Sequence, residues 1–484
     1  MGLFAAIAGF AFAAPMLALI NQEIGPSPDI TWVSLTYTLT IAVGLTLIGR
    51  MTDIFGRRYI FIGGGVLGTM GSIICSRAQS VNTLIAGMTL IGLAASTQVS
   101  YFYVMAELVP MKYRFAGNGL MYVFTTPGGA FAPAIADAFV RNTASGWRGC
   151  FYVLIAINAF ALLCFVLFYW PPSFRDKHAY ESKKKYIIEF DYVGVVLFAG
   201  GLLVFLMGLS WGGSRYRWDS AYVVASMVVG GAAFSAFIAW ECYGAVKEPL
   251  VPMHYLRNIP WAAAVVTSGL GASLYYGLAV VWPSMVAVVY ATDDPVSDSL
   301  VASLVGAGTA TLAIAGILLA CVATCTVDSR DRACWLVAFG TFFAGWVEGL
   351  SLTITTLALE EQDQLGTACG FGGSIRFSIT TVVTVIYNVI LSTRLAHTLI
   401  GALKAGKLAQ TVEGVSPAVA MVAQRAYQEA NIDAYRTVFL STIAVTALGL
   451  GSALLLPDAD KLMSNAPHLR ETTPRCHRAV QGGS

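Results

Sequence analysis

Charged residues are scarce in this sequence. Lys, Arg, Asp and Glu together make up 12% of its 484 residues, half of the ~25% that is usual for a soluble domain. A soluble chain of this length folds into several domains, each with a charged surface, and these charges are too few to cover such surfaces. The composition therefore excludes a soluble enzyme, a nucleic-acid-binding protein and a disordered scaffold. The 29 basic and 27 acidic residues nearly balance, so we expect no polyanionic partner.

Several other signals are absent. The nine cysteines form no C-x-x-C pair and lie mostly in apolar runs, which favours core packing. The five histidines (178, 254, 397, 468 and 477) are scattered, so we expect neither a metal site nor a cofactor. The sequence contains no repeated loop of the kind that forms an ion-selectivity filter, so nothing in it indicates a channel. An enzyme embedded in the membrane is disfavoured for the same lack of a histidine set.

Apolar residues are abundant instead, at 57% of the chain. They form 13 runs, each near the ~20 residues that cross a bilayer as a helix. The first run, 2–20, has no Lys or Arg before it and is interpreted as a true span. The runs are 2–20, 32–49, 59–76, 82–106, 115–138, 150–170, 192–210, 220–241, 261–289, 300–325, 334–357, 368–393 and 437–456. The pattern predicts an all-α polytopic membrane protein.

Lys and Arg in the loops predict the orientation. With the first residues in the cytosol, the inner loops up to residue 257 carry twelve basic residues and the outer loops five, as the positive-inside rule requires. The basic loop 171–191 follows six spans, as expected for a protein built from six-helix halves. We predict a six-helix bundle at 1–170, a loop with two helices at 171–242, a second bundle at 243–456 and a disordered tail at 457–484. Ser416 and Pro417 indicate the start of a short interfacial helix.

One ordered string stands between the second and third spans. It runs from Gly49 through Asp53 to Gly56, Arg57 and Arg58. The glycines permit close approach and a tight turn, and Asp53 can cap the next helix. The alternative interpretation is an ordinary basic loop at the cytosolic face.

This string resembles the signature loop of major facilitator superfamily transporters, which latches one half of the molecule to the other. The resemblance implies a latch formed by the five residues just named. Glu107, at the end of span four, is expected to pair with Arg114 and to join this latch, in a structural or gating role.

A narrower resemblance covers nearly the whole chain. It rests on segments such as Gly345-Trp346-Val347-Glu348 and Gly373-Ser374-Ile375-Arg376, together with 29–33, 107–114, 146–148, 168–172, 209–213, 247–250, 275–276 and 282–283. In combination these segments are similar to the fungal trichothecene efflux pump family, which is close to the siderophore-iron transporters. The resemblance implies 14 spans, arranged as two six-helix bundles with two intervening helices.

The chain departs from that pattern in three places. The run 300–325 stands where the family has two spans, and its 26 residues are too few to cross twice. An odd number of spans would invert everything after it. The arginine that the superfamily often has in span four is missing from 85–88, and the glycine–proline motif of span five is only approximate at 127–133.

Two ionisable residues lie inside predicted spans. Glu348 and Arg376 flank the loop 360–364 at similar distances, so an antiparallel hairpin brings them to the same depth. We predict that they interact and that Glu348 carries a coupling proton; a static ion pair is the alternative. Asp137, near the outer end of span five, is a weaker proton-coupling candidate, with a solvated helix end as its alternative.

Aromatic and polar residues inside the spans are the substrate candidates, because such faces suit large amphipathic ligands. Interfacial belts or helix–helix hydrogen bonds are the alternatives. The candidates are Gln98, Tyr101, Tyr103, Tyr275, Tyr276, Trp282, Trp346 and Asn388.

The resemblance implies a proton-coupled exporter of secondary metabolites, toxins or drugs that works by alternating access. Its expected partners are the lipid bilayer, a small organic substrate and protons, and we expect a monomer in the plasma membrane. A siderophore-iron uptake carrier of the same fold is the alternative function. A non-functional carrier is the third possibility if the missing span is real.

Overall fold

The fold is described from a computed structural model, for residues 1–171, 190–212, 216–244, 249–252, 254–292, 294–302, 312–359, 364–411 and 417–456. Most of the basic loop 171–191 and all of the tail 457–484 lie outside the described residues. Within them the chain is helical and contains no β-strand, as the apolar pattern predicts.

The first part of the chain forms six spans, three of which are interrupted helices. Pro15 lies in a 3₁₀ turn that divides span one, Ser100 divides span four, and span five breaks at Phe131 after Pro127. The helices are α1 (Gly2–Ala13), α2 (Leu17–Ile24), α3 (Trp32–Phe55), α4 (Arg57–Ser76), α5 (Val81–Val99), α6 (Tyr101–Leu108), α7 (Arg114–Ala130), α8 (Ala132–Asn142) and α9 (Arg148–Phe168).

The second part begins with a helical hairpin. Its first helix starts where Asp191 accepts a hydrogen bond from the Gly194 amide at 2.8 Å, an N-cap that satisfies a free donor. The helices are α10 (Tyr192–Trp211), α11 (Ala221–Tyr243), α12 (His254–Arg257), α13 (Ile259–Val289), α14 (Pro295–Ala302), α15 (Leu312–Cys321), α16 (Arg330–Leu357), α17 (Leu365–Thr411) and α18 (Pro417–Ala453). The helix that starts at Pro417 is not short: it continues without a break into the last span.

Eleven of these helical segments are long and apolar enough to cross a membrane. They match eleven of the thirteen predicted runs. The two exceptions are 115–138, which is the broken pair α7–α8, and 300–325, which contains α15 and the end of α14. Span five still reaches from the inner to the outer end, because α8 packs against α14.

The described flanks of the run 300–325 lie at the same end of the bundle. The Tyr290 hydroxyl donates to the Thr326 carbonyl at 3.3 Å, and Arg330 donates to Asp298 at 2.6 Å. Both ends of the run therefore lie at the outer end of the bundle. The described part of the chain crosses twelve times, rather than the thirteen predicted, and α18 ends on the inner side.

Helix packing divides the bundle into groups. The helices α1, α3, α4, α5 and α9 pack against one another, as do α13, α15, α16, α17 and α18. The hairpin α10–α11 packs mainly on itself, and α10 also touches α3 and α17. The long contact between α3 and α17 joins the two groups.

A Cβ built on Gly49 would lie 2.9 Å from the Gly370 Cα atom, so the contact between α3 and α17 requires glycine at the point of closest approach.

Candidate functional site

The two buried charges of α16 and α17 meet at the centre of the bundle. Arg376 donates from Nη2 to Glu348 Oε1, and the side chains are 6% and 9% exposed, respectively. Arg376 also lies over the Phe377 ring, 4.7 Å from its centroid. A charge at mid-bilayer costs ~2.5–3.5 kcal/mol or more, so each residue offsets the cost of the other. The contact that the hairpin register predicts is present.

This ion pair faces a cavity of about 510 Å³ between the two helix groups. The walls come from α1, α5, α6 and α7 on one side and from α13, α16 and α17 on the other. The predicted residues Tyr101, Tyr275, Tyr276 and Trp346 line it. It is also lined by residues that the sequence did not single out, among them Asn118, Tyr122, Thr353 and Phe377.

Aromatic rings form a large part of the wall. Tyr101 and Tyr122 stand nearly perpendicular with centroids 6.4 Å apart. Tyr276 contacts Tyr275 at 5.1 Å and Phe377 at 5.5 Å, both edge to face. These rings surround a single ion pair, which is the arrangement that suits a largely apolar ligand with a few polar groups.

Four of the predicted substrate residues do not line this cavity. Gln98 donates to Asn158 at 2.7 Å and joins α5 to α9. The guanidinium carbon of Arg57 lies over the Tyr103 ring, 5.1 Å from the ring centroid. Trp282 donates to the Val301 carbonyl at 2.9 Å near the outer end. Asn388, which follows Tyr387 on α17, also lies outside the cavity wall.

The signal for the missed residues is present in span five. Asn118 and Tyr122 are four residues apart and therefore share one helix face. Both can form hydrogen bonds, and both lie in the mostly apolar run 115–138. Asn118 donates to Thr353 at 2.8 Å across the interface, so this face looks toward the other half.

The predicted latch lies at the inner end of the cavity. Gly56 has φ +85° and separates α3 from α4 by one residue, a conformation that glycine adopts without strain. This turn leaves Asp53 free to reach α17. Its Oδ2 accepts from the Thr367 amide at 2.6 Å and from the Thr367 hydroxyl at 2.9 Å. The carboxylate thus binds the first free N–H groups of α17, where the helix dipole favours negative charge.

The arginines of the string stay within the first half. Arg57 pairs with both carboxylate oxygens of Glu107 and lies 3.9 Å from Asp53. Arg58 stacks on the Trp170 ring and donates to the Val166 carbonyl at 3.1 Å. These contacts hold the turn rigid, so that Asp53 points toward α17.

Arg114 makes a backbone contact with the second half. Its Nη1 donates to the Thr356 carbonyl at 3.0 Å, at the C-terminus of α16, whereas the bidentate partner of Glu107 is Arg57. The pairing predicted between Glu107 and Arg114 stays a prediction, and the structure adds Arg57 as a bidentate partner of Glu107. Asp53, bound to α17, and Arg114, bound to α16, join the two halves at this end of the bundle.

Asp137 lies on α8, away from this cavity. It forms an ion pair with Arg141 one turn later, and both side chains are about one third exposed. In the described residues no group of three or more His, Cys, Asp or Glu side chains is arranged to hold a metal ion.

Comparison with known proteins places this geometry in a family. The profile described as "Fungal trichothecene efflux pump" matches residues 3–341. The trichothecene efflux pump of Fusarium sporotrichioides is 24% identical over 523 aligned residues, covering 98% of this chain and 87% of that pump. The alignment is longer than the chain, so the relative contains segments that this chain lacks. The trichothecene efflux pump of Trichoderma arundinaceum is 30% identical over 58% of this chain, but the match spans only 48% of that pump.

Other relatives and solved structures agree. The transporter prx5 of Penicillium rubens is 27% identical and covers 82% of this chain and 80% of its own length. Crystal structures of two POT family transporters, an autoinhibited peptide transporter and PepTSo, cover 94% of this chain with TM-scores of 0.55 and 0.56. The alignments cover 97% and 98% of these two transporters, at 13% and 12% sequence identity. This likeness establishes the major facilitator fold.

The cavity wall can be tested by ligand binding. We expect Tyr122→Ala to weaken the binding of an amphipathic fluorescent dye to the purified protein by about tenfold, because a buried ring contributes ~1.5–3 kcal/mol. Gln98→Ala serves as the control. It should leave dye affinity unchanged, because Gln98 only joins two helices, while it lowers thermal stability. Fluorescence titration measures affinity, and equal losses in both variants would contradict the assignment.

Proposed function

The chain belongs to the fungal trichothecene efflux pump family of major facilitator transporters, and from this premise we propose that it exports a small organic compound by alternating access. The compound class is secondary metabolites and toxins, including trichothecenes, and the location is the plasma membrane. The observation that carries the proposal is the cavity of about 510 Å³, which is bounded by both halves. Helices of one chain complete it, so a monomer suffices.

The shape of the cavity supports an apolar substrate. Val123 and Trp346 line its wall between α7 and α16, and they are 66% and 45% exposed. We infer that this part of the wall opens between α7 and α16 toward the bilayer. A compound dissolved in the membrane would meet the aromatic wall before it meets the ion pair, as expected for an exporter of membrane-permeable molecules.

Export can be distinguished from the alternative, siderophore-iron uptake, in one strain. We expect expression in a yeast that lacks its own exporters and siderophore carriers to raise the trichothecene concentration that stops growth and to lower cellular trichothecene. Growth on hydroxamate-siderophore iron should stay at the level of the empty vector. Growth on siderophore iron without trichothecene resistance would overturn the proposal in favour of uptake, and no effect in either assay would overturn both.

The ion pair supports proton coupling as the energy source. Glu348 is the carboxylate that both lines the cavity and faces Arg376. If Glu348 takes up a proton, Arg376 loses its compensating charge and must find another partner, so the two protonation states favour different arrangements of α16 and α17. A proton that enters when the cavity faces outward could thus drive the return step. Asp137 at the outer end stays a candidate for an earlier proton-binding step.

Glu348→Gln tests this coupling. Gln has the same shape but cannot release a proton, so we expect export driven by a pH gradient to fall by about tenfold or more, while exchange without a gradient continues. Substrate flux in proteoliposomes measures both modes. Asp219→Asn, in an exposed outer pair with Arg217, is the matched control and should behave as wild type. Full proton-driven export by the Gln variant would leave only a static ion pair.

The inner contacts support a latch that holds the outward-facing or occluded state. Asp53 bridges to α17, and Arg114 bridges to α16. Both bridges must break before the cavity can open to the cytosol. The Arg57–Glu107 pair remains within one half and can persist through the cycle, which keeps the latch turn intact.

Removal of the Asp53 carboxylate should release the inner end. Hydrogen bonds to a charged group contribute about 1.5–3 kcal/mol, so Asp53→Ala should raise the inward-open population by about tenfold or more. A reporter cysteine at Thr356, which is 1% exposed, should then react faster with maleimide added from the inner side. Asp219→Ala with the same reporter is the control. An unchanged rate would mean that Asp53 does not hold the halves together.

A further inference from the structure

A second cavity lies between the hairpin α10–α11 and the helices α13, α17 and α18. Its volume is about 750 Å³. Its lining shares no residue with that of the cavity at Glu348 and Arg376, so it is a separate site. The wall is formed by Gly201, Leu202, Phe205, Leu206, Gly231, Phe234, Val266, Leu270, Ser378, Ile379, Val382, Val383, Ile386, Tyr387, Ser441, Ala444, Val445 and Leu448.

The cavity lies at hydrocarbon depth. All five helices that enclose it are long and apolar enough to cross the bilayer. Between Ser378 and Tyr387 the wall extends about 14 Å along α17, at 1.5 Å per residue. The wall is nearly all aliphatic and aromatic, so water would find few partners there. Only a hydrocarbon chain or a similarly apolar group can fill such a space favourably.

One polar atom in this wall lacks a partner. The hydroxyls of Ser378 and Ser441 donate to carbonyls of their own helices. The Tyr387 side chain is 1% exposed, and its hydroxyl has no hydrogen-bond partner among the described residues. A buried polar group left in this state costs about 1–3 kcal/mol, so the site calls for a ligand with an acceptor at that position.

The depth of Tyr387 indicates which acceptor. Arg376 forms the buried ion pair at the centre of the bundle on the same helix. Tyr387 lies eleven residues, about 16 Å, further along α17 toward the outer end. This is close to the edge of the ~30 Å hydrocarbon core, where the ester groups of phospholipids lie.

We propose that this second cavity binds a phospholipid of the outer leaflet. One acyl chain fills the space between the hairpin and the second helix group, and its ester carbonyl accepts a hydrogen bond from Tyr387. The lipid supplies the packing that the side chains of α10 and α11 leave open against α13, α17 and α18. It thereby fixes the hairpin to the second group as a structural ligand and not as a transported one.

Two glycines allow a matched test. A side chain at Gly231 would project into open space, and Gly231 lines the cavity. A side chain at Gly200 on α10 also meets nothing within 4 Å, but Gly200 does not line it. Gly231→Leu should therefore fill the cavity without a steric clash, whereas Gly200→Leu adds the same group elsewhere on the hairpin.

The measurement is the phospholipid retained by the full-length protein after exhaustive washing in detergent, quantified by mass spectrometry. We expect retention by wild type and Gly200→Leu, a loss of about tenfold for Gly231→Leu, and a loss of about fivefold for Tyr387→Phe, which removes only the hydroxyl. Equal retention in all variants, or no phospholipid in wild type, would overturn the proposal. Retention of a sterol in place of phospholipid would overturn the identity of the ligand.

Discussion

Charge compensation in a medium without water is the constraint on which this structure depends. A lone charge at mid-bilayer is not tolerated, and a buried pair persists only when both partners stay together. Glu348 and Arg376 form such a pair in the structure. They lie in the wall of the central cavity, where a proton or a substrate can reach them. In the proposed coupling, a change in the charge of Glu348 favours a different arrangement of α16 and α17, because burial of Arg376 without a partner is costly.

The inner end of the cavity is held by a different kind of contact from the buried ion pair. At the inner end, Asp53 and Arg114 each bind backbone groups at a helix terminus. Helix termini carry free N–H and C=O groups whatever the sequence, so these bridges are easily broken and remade with water. The glycine contact between α3 and α17 lets the backbones approach closely, and the Thr46 amide donates to the Ser374 hydroxyl at 2.9 Å across it. These contacts are the ones that the proposed opening of the inner end has to break.

The sequence predicted most of the fold and part of the site, for reasons that particular residues illustrate. Glu348 and Arg376 were predictable as a pair. They are about equally far in sequence from the loop between α16 and α17, so in an antiparallel hairpin they lie at the same depth in the bilayer. Tyr101 and Tyr103 could not both face the cavity, because two residues turn a helix by about 200°. Which of them faces inward depends on the break at Ser100, for which the sequence carries no clear signal. The i, i+4 spacing of Asn118 and Tyr122 places them on one helix face, but only the packing of α7 against α16 shows that this face lines the cavity.

The number of crossings decides whether such a chain can retain the family's mechanism. The family resemblance implies 14 spans, and the described part of this chain crosses twelve times. Because the difference is even, every helix after α13 keeps its direction, and α16 and α17 still meet the inner end of α3 and α7. Loss of a single span would have reversed the direction of α16 and α17 across the bilayer. Thr367 would then lie at the opposite end of the bundle from Asp53. The contact between Tyr290 and Thr326 shows that the chain enters α16 from the same end of the bundle at which α13 stops, which keeps α16 and α17 in the direction that the site needs.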